Sequence, residues 1–146
     1  MSITNESTPT TTIDARGPRF SALLTTLVLA LTLATHSPFL LLAQAFVFAI
    51  GAFKGPQYTP YAEIFKNFVK PRLKSEAVFE DVRPPKFAQQ VGFGFAVVGL
   101  IGAAFSPALF QIVVSFALAA AFLNAAFNFC LGCEIYLRIA RLRANK

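Results

Sequence analysis

Residues 14–20 read Asp-Ala-Arg-Gly-Pro-Arg-Phe, and residues 81–87 read Asp-Val-Arg-Pro-Pro-Lys-Phe. Both fit D-x-R-x-P-(R/K)-F. Each is followed by an apolar run, a Ser-Pro step (Ser37-Pro38 or Ser106-Pro107) and a second apolar run. This doubling decides the fold. Proline is tolerated in the first helical turn and presets φ for entry. Phenylalanine opens the apolar run, and the basic side chains reach back to headgroup level. The chain therefore reads as two helical hairpins in tandem, both entering from one side, with a pseudo-twofold axis along the membrane normal.

The apolar runs cover residues 17–35, 38–53, 87–105 and 107–137. A spanning helix needs about 20 such residues, with about 17 as the lower limit, so the second run is slightly short. Composition agrees with this reading. Of 146 residues, 55% are hydrophobic, 17 are phenylalanine and only 14% are charged, against about 25% charged in an ordinary soluble domain. The expected fold is an all-α, four-transmembrane-helix protein comprising residues 14–137. A disordered tail is expected over 1–13 and a basic tail over 138–146.

Charge placement gives the orientation. Arg16 and Arg19 precede the first run, with Glu6 and Asp14. Residues 54–86 carry Lys54, Lys66, Lys70, Arg72, Lys74, Arg83 and Lys86 against Glu63, Glu76, Glu80 and Asp81. The C-terminal end carries Arg138, Arg141, Arg143 and Lys146 against Glu134. These are all 13 basic and all 7 acidic residues, and the turns at His36 and Ser106 hold none. The positive-inside rule then puts both termini and the 54–86 loop in the cytoplasm of a plasma (inner) membrane protein. The net charge of +6 is explained by this anchoring, without nucleic acid. Residues 16–36 have the outline of a signal peptide. Cleavage is not expected, because His36 falls in the cleavage pattern and the region before the apolar core is long.

Within the loop, Thr59-Pro60 reads as an N-cap followed by proline at the first helical position. Tyr61, Ile64, Phe65, Phe68 and Val69 then recur at helical spacing, and Pro71 ends the run. This is the pattern of a helix lying in the membrane interface. Residues 73–85 read as an extended strap. In the third run, Ala88, Gly92, Ala96, Gly99 and Ala103 form a small-residue face suited to close helix packing. Asn124 and Asn128 share a face in the fourth, either as an interhelical hydrogen bond or as a polar lining. No Lys, Arg, Asp or Glu lies mid-span, which speaks against a proton- or ion-coupled transporter.

The only cysteines, Cys130 and Cys133, sit at the inner end of the fourth run. Three readings stand side by side. They are a thiol-redox or sulfur-handling pair facing the cytosol, half of a metal site that only a homodimer could complete, or two small packing residues. Placed in one continuous helix they lie near its C-terminus beside Glu134, and both features disfavour a thiolate. Arg16 and Arg83, oriented by Asp14 and Asp81, form a candidate anion site. No nucleophile–base pair, phosphate loop or complete metal site is present, so a self-contained enzyme is not expected, and no cofactor.

The segments DARGPRF, EDVRPPKFAQQVG and FCLGCEIYL, in this order, resemble domain-of-unknown-function family 4395, a group of small bacterial membrane proteins. The resemblance runs over residues 13–137. Its motif positions fall on Asp14, Arg16, Pro18, Arg83, Pro84, Pro85, Phe87, Cys130, Gly132 and Cys133. Some members lie near genes for thioredoxin-like or rhodanese-like proteins. The resemblance therefore implies thiol or sulfur chemistry with a cytosolic partner of that kind. A non-catalytic subunit or scaffold of a membrane complex, and a homo-oligomeric small-solute transporter, are the alternatives.

Overall fold

The computed structural model describes residues 12–14, 16–72, 79–127 and 129–144. Strand β1 (Thr12–Asp14) leads into helix α1 (Arg16–Thr35), which turns back as α2 (Pro38–Phe53). A 3-10 turn (Pro56–Tyr58) precedes α3 (Pro60–Ile64), which continues as a π-helical turn (Phe65–Val69) and a 3-10 turn (Lys70–Arg72). Strand β2 (Phe79–Asp81) then leads into α4 (Arg83–Phe105), α5 (Pro107–Phe127) and α6 (Leu131–Ala144).

The doubled heptapeptide builds both hairpin entrances in the same way. The Asp14 carboxylate accepts the backbone N–H of Arg16 at 3.0 Å, and Asp81 accepts that of Arg83 at 3.0 Å. Each aspartate thus satisfies one of the orphan donors at a helix start. The two strands pair antiparallel, Thr12 with Asp81, Ile13 with Glu80 and Asp14 with Phe79. The hairpin turns also form where the Ser-Pro steps place them. His36 closes α1 with φ +56°, Ser37 is extended, and Pro38 starts α2. At the second turn, a Cβ on Gly102 would lie 2.8 Å from the Phe110 backbone nitrogen. Glycine is what lets α4 and α5 close there.

Helices α1, α4 and α5 are each long and apolar enough to cross a membrane. Helix α2 is apolar but has 16 residues, about 24 Å at 1.5 Å per residue. The four form a bundle in which α1 packs chiefly on α5 and α4 chiefly on α2, with α1 and α4 at opposite corners. Leu29, Leu41, Ala45, Phe48, Ala96, Phe110 and Val114 make the core. Large apolar side chains such as Phe39 (78% exposed), Phe46 and Phe116 face outward. Outward apolar surface on this scale marks a membrane protein. In lipid the bundle is held by close van der Waals packing rather than by hydrophobic burial, and the small face of α4 supplies that contact. A Cβ on Gly92 would meet the Phe48 ring at 2.7 Å, and one on Gly99 would meet Leu41 at 2.8 Å. The face drifts along the helix, so Gly102 is buried at its end and Ala103 is exposed.

Several boundaries differ from the expected ones. The third helix begins at Arg83 rather than at 87, with Val82 as its N-cap residue and the Asp81 carboxylate, one residue before, accepting the first helical N–H. Residues 12–13 of the expected disordered tail are strand, as are residues 79–81 of the expected strap. Residues 1–11 and 73–78 lie outside the described residues. The interfacial helix is α-helical only over Pro60–Ile64. The Lys70 N–H then bonds the Phe65 carbonyl, five residues back, and this wider turn rotates the stripe. Phe65 is buried at 3% exposure, while Ile64 and Phe68 are exposed. The fourth run does not reach 137 as one helix: α5 ends at Phe127, and a separate helix begins at Leu131. Its second half occupies most of the expected basic tail. The physical reason lies at the cysteines.

Candidate functional site

Cys130 sits between α5 and α6, outside both. The N–H of Phe129 closes the end of α5 on the Leu123 carbonyl at 3.2 Å. The Cys130 carbonyl then accepts the Glu134 N–H at 3.0 Å, the first bond of the new helix. Its Sγ accepts the Cys133 N–H at 3.1 Å. This is N-cap geometry with sulfur in the place of oxygen. Cys130 and Cys133 are joined in a disulfide, with Cα atoms 5.1 Å apart, inside the usual range.

The cysteines therefore lie at a helix N-terminus, not near a C-terminus. That placement reverses the local electrostatics. The N-terminal end of a helix carries roughly half a positive charge, and a thiolate there is favoured. Glu134, in the first turn of α6, opposes it. Gly132 is what lets the pair sit where it does. A Cβ at this position would lie 2.7 Å from both Cα and Cβ of Ala88, so the turn between the cysteines rests directly on α4. Phe87 and Tyr136 pack beside it, with ring centroids 5.7 Å apart.

Both cysteines line a cavity of about 760 Å³ within the bundle. Its walls include Arg16, Arg19 and Thr25 from α1, Gln89 and Phe95 from α4, and Ala117, Ala120 and Asn124 from α5. Asn124 thus contributes polar lining, and Asn128 lies outside the described residues. Arg19 does more than anchor α1 at the surface. Its Nε donates to the Ala125 carbonyl at 3.1 Å and its Nη2 to Ala126 at 3.4 Å. A cation on the last carbonyls of α5 holds that helix end in front of the cysteine turn. The sequence reading missed this contact, which spans more than a hundred residues of chain.

Arg16 and Arg83 are each gripped by the aspartate two residues before. Arg16 gives 3.1 Å from Nε to Asp14 Oδ1 and 2.9 Å from Nη2 to Oδ2. Arg83 gives 2.9 Å and 2.6 Å to Asp81 Oδ2. The Arg16 hydrogen bond holds the Asp14 carboxyl below the usual carboxylate range, against the opposing effect of burial, and Lys70 at 3.5 Å adds to it. For Asp81, burial pushes the carboxyl up, but the Arg83 bonds outweigh it and the net direction is down. Arg16 and Asp81 line the cavity, whereas Arg83 is 57% exposed.

The first half of the chain contains a second cap of the same form. Thr59 Oγ1 accepts the Ala62 N–H at 3.2 Å, as Cys130 Sγ accepts that of Cys133. The residues that follow are Ala62-Glu63-Ile64-Phe65 and Cys133-Glu134-Ile135-Tyr136. Phe65 packs on Phe20 at 5.8 Å, as Tyr136 packs on Phe87. This Glu-Ile-aromatic match is the signal that places Cys130 at a cap, and it is readable in the sequence. In the first half, Tyr61 donates to Gln44 Oε1 at 2.7 Å, and Gln44 Nε2 donates to Thr25 Oγ1 at 3.4 Å. Gln44 is 1% exposed. The residue in the register of Tyr61 at the other cap is Gly132, which brings no side chain.

Among the described residues, no group of three or more His, Cys, Asp or Glu side chains is arranged to hold a metal ion. The family model described as Domain of unknown function (DUF4395) matches residues 13–141. No curated protein and no solved structure matches the chain.

Proposed function

The chain belongs to the DUF4395 family, and we propose that it is a four-span plasma-membrane protein that exchanges electrons with a cytoplasmic thiol partner through Cys130 and Cys133. The observation that carries this reading is the disulfide at the N-terminus of α6, on the wall of the cavity. In the proposed topology α2 is the fourth span. Among the described residues, the lysines and arginines lie at the start of α1, after α2, around the start of α4 and on α6, the end of the bundle assigned to the cytoplasm.

The repeat is longer than a hairpin. Each unit is an Asp-capped span, a Ser-Pro turn, a second span and a capped interfacial helix, α3 in one unit and α6 in the other. The strand ladder supports a twofold relation, since Thr12 pairs with Asp81 and Asp14 with Phe79. Those are equivalent positions, exchanged across the central Ile13–Glu80 pair.

The exchange follows ordinary thiol–disulfide chemistry. A partner thiolate attacks Cys130 Sγ, a mixed disulfide forms, and Cys133 leaves as a thiolate. A second partner thiol then attacks the mixed disulfide, frees Cys130 and leaves the partner oxidised. Two electrons pass to Cys130 and Cys133, and the reverse sequence returns them. Cys130 is assigned the exchanging role because its sulfur is the one held by a backbone N–H. Thioredoxin-like proteins are the leading partner class, and rhodanese-like proteins are the second. Arg16, which shares the cavity wall with both cysteines, is assigned the role of favouring the thiolate or an anionic sulfur species. Arg83 with Asp81 serves the same role at the outer rim.

The test is reduction of the purified protein in lipid nanodiscs by a thioredoxin-type dithiol. The expected result is two new thiols per chain, both lost in the Cys130→Ser/Cys133→Ser variant. A double variant that folds, assembles and supports wild-type function in cells would instead make the chain a structural subunit. Solute flux in liposomes would make it a transporter.

A further inference from the structure

From the cavity we infer that the electron acceptor of the reduced Cys130–Cys133 pair is a membrane quinone, bound with its ring beside the two sulfurs. This rests on the thiol-exchange reading and names the other substrate of the same site. The pair meets the aqueous side at the start of α6, yet both residues also line a half-open cavity between apolar helices. At about 760 Å³ it is in the size range of sites for organic ligands, roughly 300–1,000 Å³. Its walls are mostly apolar, with Phe95 on α4 and Ala120 on α5, and the charged Arg16, Arg19, Asp81 and Glu134 also line it. The Gln89 carboxamide packs against Gly51 of α2, its Oε1 buried there, so the side-chain amide left to meet a ligand is that of Asn124 on α5. A side-chain amide both donates to a carbonyl and accepts from a hydroxyl. That dual capacity matches a ring whose two oxygens are carbonyls when oxidised and hydroxyls when reduced. A small sulfur anion would not need the apolar depth.

The step balances as follows. The Cys130 thiolate adds to the quinone ring, forming a carbon–sulfur bond. The Cys133 thiolate attacks Cys130 Sγ, the carbon–sulfur bond breaks, and the electron pair leaves with the ring. The products are the disulfide and the quinol, and the two thiol protons finish on the two quinol oxygens. Two electrons and two protons move from the dithiol to the quinone.

The experiment uses the full chain in nanodiscs, reduced and freed of reductant, then mixed with a short-tail benzoquinone or naphthoquinone analogue. Quinol is followed by absorbance and thiols by mass-tagging. The expected result is one quinol and one disulfide per chain, with a rate that saturates in quinone. Ala120→Phe, which fills the cavity, should abolish saturation. Asn124→Leu is the second variant, with half-saturation raised about five- to tenfold for one lost hydrogen bond. Stable ring adducts, a rate that does not saturate, or wild-type rates in both variants would overturn the quinone and leave thiol exchange standing. A disulfide that no dithiol reduces would overturn both.

Discussion

Replacing Gly132 with alanine sets two known effects against each other. Intrinsic helix propensity favours alanine over glycine by at most about 1 kcal/mol here, since Gly132 lies in the first turn of α6. The structure opposes it, because the new Cβ would lie 2.7 Å from Cα and Cβ of Ala88. Neither atom is the end of a flexible side chain. A carbon–carbon contact is comfortable at about 3.5–4.0 Å, so α6 must move roughly 1 Å off α4 or carry the overlap. Overpacking of this kind costs typically about 1–3 kcal/mol. The net expectation is a loss of about 1 kcal/mol, up to about 2. Thermal unfolding in a fixed detergent, followed by circular dichroism, reads this as a fall of several degrees in Tm. Ala88→Gly in the same chain removes one of the two overlaps and should recover part of the loss. A Gly132→Ala protein as stable as wild type, or more so, would show that α6 does not rest on α4. The placement of the cysteines would fall with it.

Two further perturbations test the frame around the site. Tyr61→Phe removes the donor to Gln44 Oε1 and strands a buried acceptor, which should cost about 1–3 kcal/mol in the same unfolding assay; Tyr58→Phe, at an exposed position, is the control. The Asp14 carboxyl is held below its usual value by Arg16, so its contribution is complete above the unfolded value of about 3.9 and is lost as pH falls through the folded one. Unfolding midpoints should therefore drop as the pH falls below about 4 in wild type. Asp14→Asn should lower the midpoint at about pH 7 and flatten that acid limb; identical pH profiles would refute the ion pair.

Much of the fold is legible because membrane helices announce themselves by composition. The apolar runs, the Ser-Pro turns and the Thr59 cap all form where residue chemistry puts them. The doubled heptapeptide marks two equivalent entrances, although hydropathy does not show that its aspartates cap the helices or that the strands before them pair. What the sequence hid was the break after Phe127. Between Pro107 and Glu134 the run carries no further proline and no charge. The helix is broken by a cap, and a cysteine is not a usual cap residue. Only comparison of Glu63-Ile64-Phe65 with Glu134-Ile135-Tyr136 places it on Thr59. The cavity was illegible for a different reason. Small residues on α1, α4 and α5 line it, and α1 is distant in sequence from the other two.

The most direct measurement is the thiol state of Cys130 and Cys133 in intact cells, by mass-tagged maleimide before and after a brief oxidant pulse. The account predicts a mixture of dithiol and disulfide that shifts toward disulfide with the pulse and returns. It also predicts that Cys133→Ser traps a cytosolic partner on Cys130 as a mixed disulfide. Cysteines that stay reduced and unmodified throughout, in a folded protein, would contradict it.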